Sequence, residues 1–188
     1  MPPSKFFRIK RHLRDFASAQ SGAGAVEFAI VSAPFLALLF SILELGTMFM
    51  GSTTIEAATV SAARQIRTGQ VQQSASNNAA GFKSLVCGGM SWISASDCNA
   101  NISVDVRTFS SFSAIDVTPP VANGAIDSSQ LTYDAGKSCD IVLVRIFYPW
   151  TLLTPVLEPG LPNLGPNKRL LTTAIAFRNE NWQGSSCA

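Results

Sequence analysis

The stretch FAIVSAPFLALLFSIL, residues 28–43, runs for sixteen positions without a charge, and eleven more uncharged residues follow Glu44. Residues 28–51 therefore hold one ionisable group in 24 positions. As an α-helix at ~1.5 Å per residue they would extend about 36 Å, enough to cross a hydrocarbon core of ~30 Å with some tilt. Before this stretch, Lys5, Arg8, Lys10, Arg11 and Arg14 stand against one acid, Asp15. Nothing comparably basic follows it, so the positive-inside rule predicts a single span with the N-terminus in the cytoplasm and the C-terminal part outside.

The whole chain has 188 residues, 47% of them apolar and only 14% charged, with a net charge of +2. That excludes a chain disordered throughout and gives little attraction for phosphate, so no nucleic-acid partner is expected. The net charge divides into +4 over residues 1–15 and −2 over residues 23–188. A conventional cleaved secretory signal is the competing reading, but the apolar stretch is too long for one. No clean small-residue site stands at its end either; the small residues Ser21-Gly22-Ala23-Gly24-Ala25 precede it.

Glu27 at the entry of an apolar helix can be an interfacial carboxylate favoured by the helix dipole. The string around it asks for more: a basic leader, Gly22, then Ala23-Gly24-Ala25-Val26-Glu27-Phe28, then the long apolar helix. This resembles the class III signal of type IV prepilin-like proteins, and more narrowly the TadE-like pseudopilins of tight-adherence (Tad/Flp) pili. Further matches are Pro34, the stretch Ile42-Leu43-Glu44-Leu45-Gly46, the helix ending Ala62-Ala63-Arg64, and a closing Thr173–Glu180 strand. After it this chain has Asn181-Trp182, where many relatives have Pro-Phe.

The resemblance implies that a prepilin peptidase cuts between Gly22 and Ala23 at the cytoplasmic face, leaving Glu27 and Phe28 as mature residues five and six. A new α-amine at Ala23 is costly in hydrocarbon, and pairing it with Glu27, in the same chain or a neighbour, would lower that cost. Service in peptidase recognition is the competing role for Glu27. The implied protein is a minor pilin of a Tad/Flp-type pilus, acting in its base, tip or initiation. Its implied partners are the peptidase, other pseudopilins, the major Flp-type pilin, the inner-membrane assembly platform and membrane lipid. The implied place is the bacterial inner membrane, single-pass, with a periplasmic C-terminal domain and entry into an extracellular pilus. An unprocessed, membrane-anchored periplasmic binding or sensor module is the alternative, and an anchored hydrolase a more distant one.

Glu44 lies seventeen residues after Glu27, about 26 Å along a helix, and reads as an interfacial carboxylate or as a subunit contact to Arg64 or Arg67 of a neighbour. Pro34 removes a helix hydrogen bond and predicts a kink near residues 30–34, with Ser32 placed to satisfy part of what it frees. Ile55, Ala58, Ala62 and Ile66 keep helical spacing beyond the span, and Gly69 with the polar run to Asn78 ends the helix. The small residues Ala57, Ala58, Ala62 and Ala63 would admit another helix or the chain's own domain.

The expected layout is a leader over 1–22, a transmembrane helix over 23–52, a helix extension over 53–69 and an outer domain over 70–188. Three strands are expected in that domain: Ile102–Arg107 by alternation, a central Ile141–Tyr148 by its nearly continuous β-branched run, and Arg169–Arg178. The fold class is α+β, a long N-terminal helix followed by a small disulfide-bonded domain with an antiparallel sheet of three to four strands. Ser110–Asp134, with Pro119-Pro120 and Asn123-Gly124, reads as an irregular excursion. In the Pro-rich apolar stretch 149–166, Trp150, Leu152, Leu153 and Leu157 either cap the sheet or form a patch, with Trp150 and Leu153 touching a partner subunit or the outer leaflet.

Cys87, Cys98, Cys139 and Cys187 all fall on the outer side, and an even number there predicts two disulfides. Cys87–Cys98, closing a short loop, and Cys139–Cys187 are the favoured pairs. A zinc site is disfavoured, since no C-x-x-C occurs and the one histidine, His12, is in the leader. No metal and no cofactor are expected. The outer domain has no imidazole to activate a nucleophile. Asp97, Asp105, Asp116, Asp127, Asp134, Asp140, Glu158 and Glu180 are scattered without a motif, so no enzyme activity is expected.

Overall fold

The computed structural model describes residues 22–154, 157, 160–161, 163–184 and 187. The expected basic leader, with His12, and Pro155, Val156, Glu158, Pro159 and Pro162 of the Pro-rich stretch lie outside the described residues. The chain divides into two compact units, Met1–Ile42 and Leu43–Ala188. Helix α1, Ala23–Arg67, runs through 45 residues and contains Pro34.

In the first unit the helix carries no single apolar stripe. Val26, Phe28, Ile30, Val31, Phe35 and Leu38 are all exposed, and a helix apolar all round belongs in a membrane or a large core. An 18-residue window of α1 has a mean hydropathy of 2.2 and is only 6% buried, so the helix is long and apolar enough to cross a membrane and this window of it is not packed in the core. Its hydroxyls are satisfied by the helix itself: Ser32 Oγ donates to the Ala29 carbonyl at 3.2 Å and Ser41 Oγ to the Ala37 carbonyl at 2.7 Å. Such back-bonding is what hydrocarbon surroundings require. The carbonyl that Pro34 deprives of a donor is that of Ile30, so Ser32 does not relieve it as expected: its hydroxyl reaches the preceding carbonyl.

In the second unit the same helix becomes the spine of an α+β fold. Ile55, Ala58, Ala62, Ala63 and Ile66 are buried in the main core, whereas Ala57 is exposed. The short side chains at 58, 62 and 63 let the chain's own domain come close. The helix ends in a Schellman motif: Gln70 N–H reaches the Gln65 carbonyl and Gly69 N–H the Ile66 carbonyl, both at 2.9 Å. Gly69 has φ +78°, and a Cβ there would lie 2.5 Å from the Trp182 ring. Glycine is needed here twice over, for its dihedral and for room.

Two short helices follow that sequence patterning did not disclose, α2 (Ala79–Gly88) and α3 (Ala95–Asn101). Asn78 Oδ1 caps α2 through Gly81 N–H and Ser94 Oγ caps α3 through Asp97 N–H. A Cys87–Cys98 disulfide joins them, and Phe82 and Val86 are wholly buried beneath it.

The sheet has three antiparallel strands in the order β1 (Ser103–Phe109), β4 (Ile141–Thr151), β5 (Lys168–Arg178). Its central strand is the β-branched run, as expected. Val104, Val106, Val142, Val144, Ile146, Tyr148 and Leu171 join the helix residues in the main core. The excursion between β1 and β4 contains a two-strand hairpin, β2 (Val121–Ala122) with β3 (Ala125–Ile126), that turns at Asn123-Gly124. Leu131 and Ile126 of the excursion pack with Phe147, Leu164 and Leu170 in a second, smaller core.

Under the excursion lies a charged cluster. Asp105 is fully buried and Arg145, its partner in strand register, is 4% exposed. Arg145 Nη2 and Nε donate to Asp105 Oδ2 at 2.8 and 3.0 Å. Arg107 Nε donates to both Asp105 oxygens at 3.0 Å. Arg145 Nη1 reaches on to the Thr118 carbonyl at 2.6 Å, and Arg107 Nη2 to that of Gln130. Two guanidinium groups on one carboxylate thus fasten the excursion to the sheet.

The chain after β5 returns to the end of α1. Glu180 N–H donates to the Arg67 carbonyl at 2.8 Å, Arg67 Nη2 meets Glu180 Oε1 at 2.9 Å, and Trp182 lies over Gly69. The Cys139–Cys187 disulfide holds the same segment. Trp182 closes this helix end.

Candidate functional site

Gly22 stands in a 3₁₀ position at the entry of α1, and the α-helix begins at Ala23. Ala23 and Glu27 are i and i+4, which places them on one helix face a single turn apart. Glu27 is exposed and Phe28 is 74% exposed.

The Pro-rich stretch divides between the two expected roles. Trp150 is half-buried within β4, its ring centroid 5.7 Å from that of Trp92, and Leu152 is buried. A Cβ at Gly51 would lie 2.9 Å from the Trp150 ring, so only glycine lets the indole meet α1 there. The next residue, Leu153, is 84% exposed.

At this turn the chain meets Glu44, whose side chain is 8% exposed. Its Oε1 accepts Leu153 N–H at 2.6 Å and its Oε2 accepts Thr154 N–H at 2.7 Å. The Thr154 carbonyl accepts Leu157 N–H at 3.0 Å, so the two amides open a tight turn. The carboxylate caps that turn from another element, as an N-cap side chain caps a helix.

Of the residues expected at subunit contacts, Glu44 and Arg67 thus have partners in their own chain. Arg64 is exposed and lines a cleft of about 300 Å³ with Val60, Arg67 and Phe177. Two further clefts, of about 350 Å³ beside Lys83 and Tyr133 and about 340 Å³ beside Met48 and Arg169, are shallow like it. None of these three is lined by a carboxylate, thiol or imidazole.

The acids serve the fold. Asp97 accepts from the Ser94 cap, Asp127 from Ser129 and Gln130, Asp134 from Thr108 and Gly136, and Asp140 from Lys137 N–H. Asp116 takes Thr118 N–H, and Asp105 and Glu180 hold the arginines already described. Glu158 lies outside the described residues. Hydrogen bonds with Ser129, then Gln130, hold Asp127 below the ordinary aspartate value, and the Thr118 bond does so for Asp116. Among the described residues no group of three or more His, Cys, Asp or Glu side chains is placed to hold a metal ion.

The segment that begins at this helix entry is similar to a known family: the TadE-like protein family matches residues 22–64. Residues 22–64 are a TadE-like segment. The match begins at Gly22 and ends inside α1, so residues 65–188 lie beyond it. No match was found among curated proteins or among solved structures. The likeness suggests a Tad pilus-associated protein, and α1 is long and apolar enough to serve as a membrane anchor.

The buried Asp105–Arg145 pair and the Glu44 turn were missed from sequence. A signal existed for the first: Arg145 interrupts an otherwise apolar central strand, and a charge there needs an opposite charge on a neighbouring strand.

Proposed function

We propose that the protein is a minor pilin of a Tad/Flp-type pilus, cut between Gly22 and Ala23 by a prepilin peptidase and taking part in pilus initiation, base or tip structure. The observation that carries this reading is the coincidence of three boundaries: the TadE-like match starts at Gly22, the α-helix at Ala23, and Glu27 sits one helical turn later. Cutting there exposes an amine on the face that bears Glu27. Pairing between the two, within a chain or between neighbours, lowers the cost of holding either charge in the bilayer and selects a register for subunit entry. The engagement of Asp97, Asp105, Asp116, Asp127, Asp134, Asp140 and Glu180 in caps, turns and ion pairs favours a structural role over a hydrolytic one.

In this reading the second unit stays outside the inner membrane on its anchor until assembly, and its partners are other pilus subunits and the assembly platform. The test is a Gly22→Arg variant expressed with the peptidase, beside Glu27→Ala. Gly22→Arg should accumulate as precursor, while Glu27→Ala should be cut and fail to support piliation. Normal cutting of Gly22→Arg, or normal piliation by Glu27→Ala, contradicts the respective assignment.

A further inference from the structure

The second unit presents an apolar end that its own packing leaves uncovered. Leu43 is 56%, Phe49 70% and Met50 62% exposed on α1, and Leu153 reaches 84% on the facing turn. Scattered exposed leucines are ordinary; a band of large apolar side chains on two neighbouring elements marks an interaction surface.

We propose that the turn at residues 152–154 is a second membrane contact, pinned to Glu44 so that Leu153 enters the leaflet from which the second unit emerges. This rests on the reading of α1 as a membrane anchor. Glu44 lies in the uncharged stretch that would span the bilayer, where an unpaired carboxylate is costly. The chain covers both of its oxygens with the Leu153 and Thr154 amides, at 2.6 and 2.7 Å. Those distances fix the turn at the height of Glu44 along α1, so a bilayer boundary at Glu44 is also a boundary at Leu153.

Neighbouring residues follow the order of a membrane surface. Gly51, seven residues beyond Glu44 and so about 10 Å along the helix, carries the Trp150 ring, against which the partly exposed Trp92 packs. Trp92, 38% exposed, supplies the indole that can reach that interfacial level, which indoles prefer. In strand register Trp150 faces Arg169 and Thr151 faces Lys168. Lys168 is exposed and Arg169 half-buried, a cationic pair beside the apolar tip, as anionic headgroups would favour. Apolar tip, aromatic layer and cationic pair on one end of the unit fit an anionic phospholipid leaflet better than a protein groove.

The test uses the full chain in phosphatidylcholine–phosphatidylglycerol vesicles, spin-labelled at one introduced cysteine, Leu153→Cys, Leu39→Cys or Gln70→Cys, with both native disulfides verified by mass. Collision with oxygen and with a water-soluble nickel chelate reports depth. The Leu153 label should favour oxygen, as the Leu39 label does, while the Gln70 label at the far end of α1 favours nickel. In a Glu44→Ala background the Leu153 label should lose its oxygen preference while the Leu39 label keeps it. A nickel-accessible Leu153 label beside a lipid-exposed Leu39 label overturns the contact and leaves the anchor standing. A nickel-accessible Leu39 label overturns the anchor and the contact together. A Leu153 label that is in lipid but unmoved by Glu44→Ala overturns the pinning.

Discussion

Glu44 Oε1 accepts the backbone N–H of Leu153 at 2.6 Å across 109 residues of sequence. With Thr154 N–H on its second oxygen, the one acid of the long apolar stretch ties the Pro-rich turn to α1. It is a built joint between α1 and the Pro-rich turn, and its composition explains why an acid is tolerated there.

Removing that joint should loosen the turn without unfolding the unit. Hydrogen bonds to a charged group contribute about 1.5–3 kcal/mol each, and Glu44→Ala leaves two amides without an acceptor. We expect it to lower stability by about 2–4 kcal/mol, with Glu44→Gln intermediate, measured by thermal unfolding in detergent. Equal stability of all three proteins would contradict the joint.

The Asp105–Arg145 pair should behave as a buried ion pair. Losing one partner strands the other, at about 3–5 kcal/mol, so Asp105→Ala and Arg145→Ala should each destabilise strongly in urea titrations. In a double-mutant cycle the combined variant should cost much less than the sum of the two singles.

At the end of α1, the exposed Arg67–Glu180 pair contributes little, about 0–1 kcal/mol, and Glu180→Gln should be nearly silent. Gly69→Ala should cost more, about 1–3 kcal/mol, because it combines a left-handed dihedral with a clash on Trp182. Unfolding midpoints of the two variants in one buffer check the ranking.

The acid and alkaline limbs of stability have named sources. Asp116 and Asp127 are held below the ordinary value of 3.8, so their contribution is full above 3.8 and falls away as pH drops through their lowered values. Burial raises Tyr133 to about 12 from 10.0, so its neutral form contributes fully below pH 10 and the contribution is lost as pH rises from 10 towards 12. Unfolding midpoints against pH should show the acid limb flattened in Asp127→Asn and the alkaline limb flattened in Tyr133→Phe.

The disulfides close loops of 11 and 48 residues, worth about 3 and 4 kcal/mol in the chain-entropy account. Cys87→Ser with Cys98→Ser should cost less than Cys139→Ser with Cys187→Ser, which also frees the tail over α1. Urea midpoints of the two double variants decide.

What could be read in advance follows from periodicity. Alternation at Val104 and Val106, the β-branched run from Ile141 and the apolar face of Leu171, Ile175 and Phe177 gave three strands near the observed limits. Helical spacing of Ile55, Ala58, Ala62 and Ile66 marked the buried face of α1. Helices α2 and α3 were hidden because they are short: α2 buries only one apolar pair at helical spacing, Phe82 and Val86, and α3 is polar and held by its Ser94 cap and the disulfide. The Glu44 contact was hidden for another reason: its donors are backbone amides, which leave no trace in side-chain identity. The helix-entry motif was legible because it is local: Gly22, Glu27 and Phe28 fall within seven consecutive residues.

The most direct measurement of the central claim is the intact mass of the protein extracted from membranes of a cell that makes a prepilin peptidase. A mass equal to residues 23–188 with two disulfides is the expected result. A chain that still carries residues 1–22 would contradict the account.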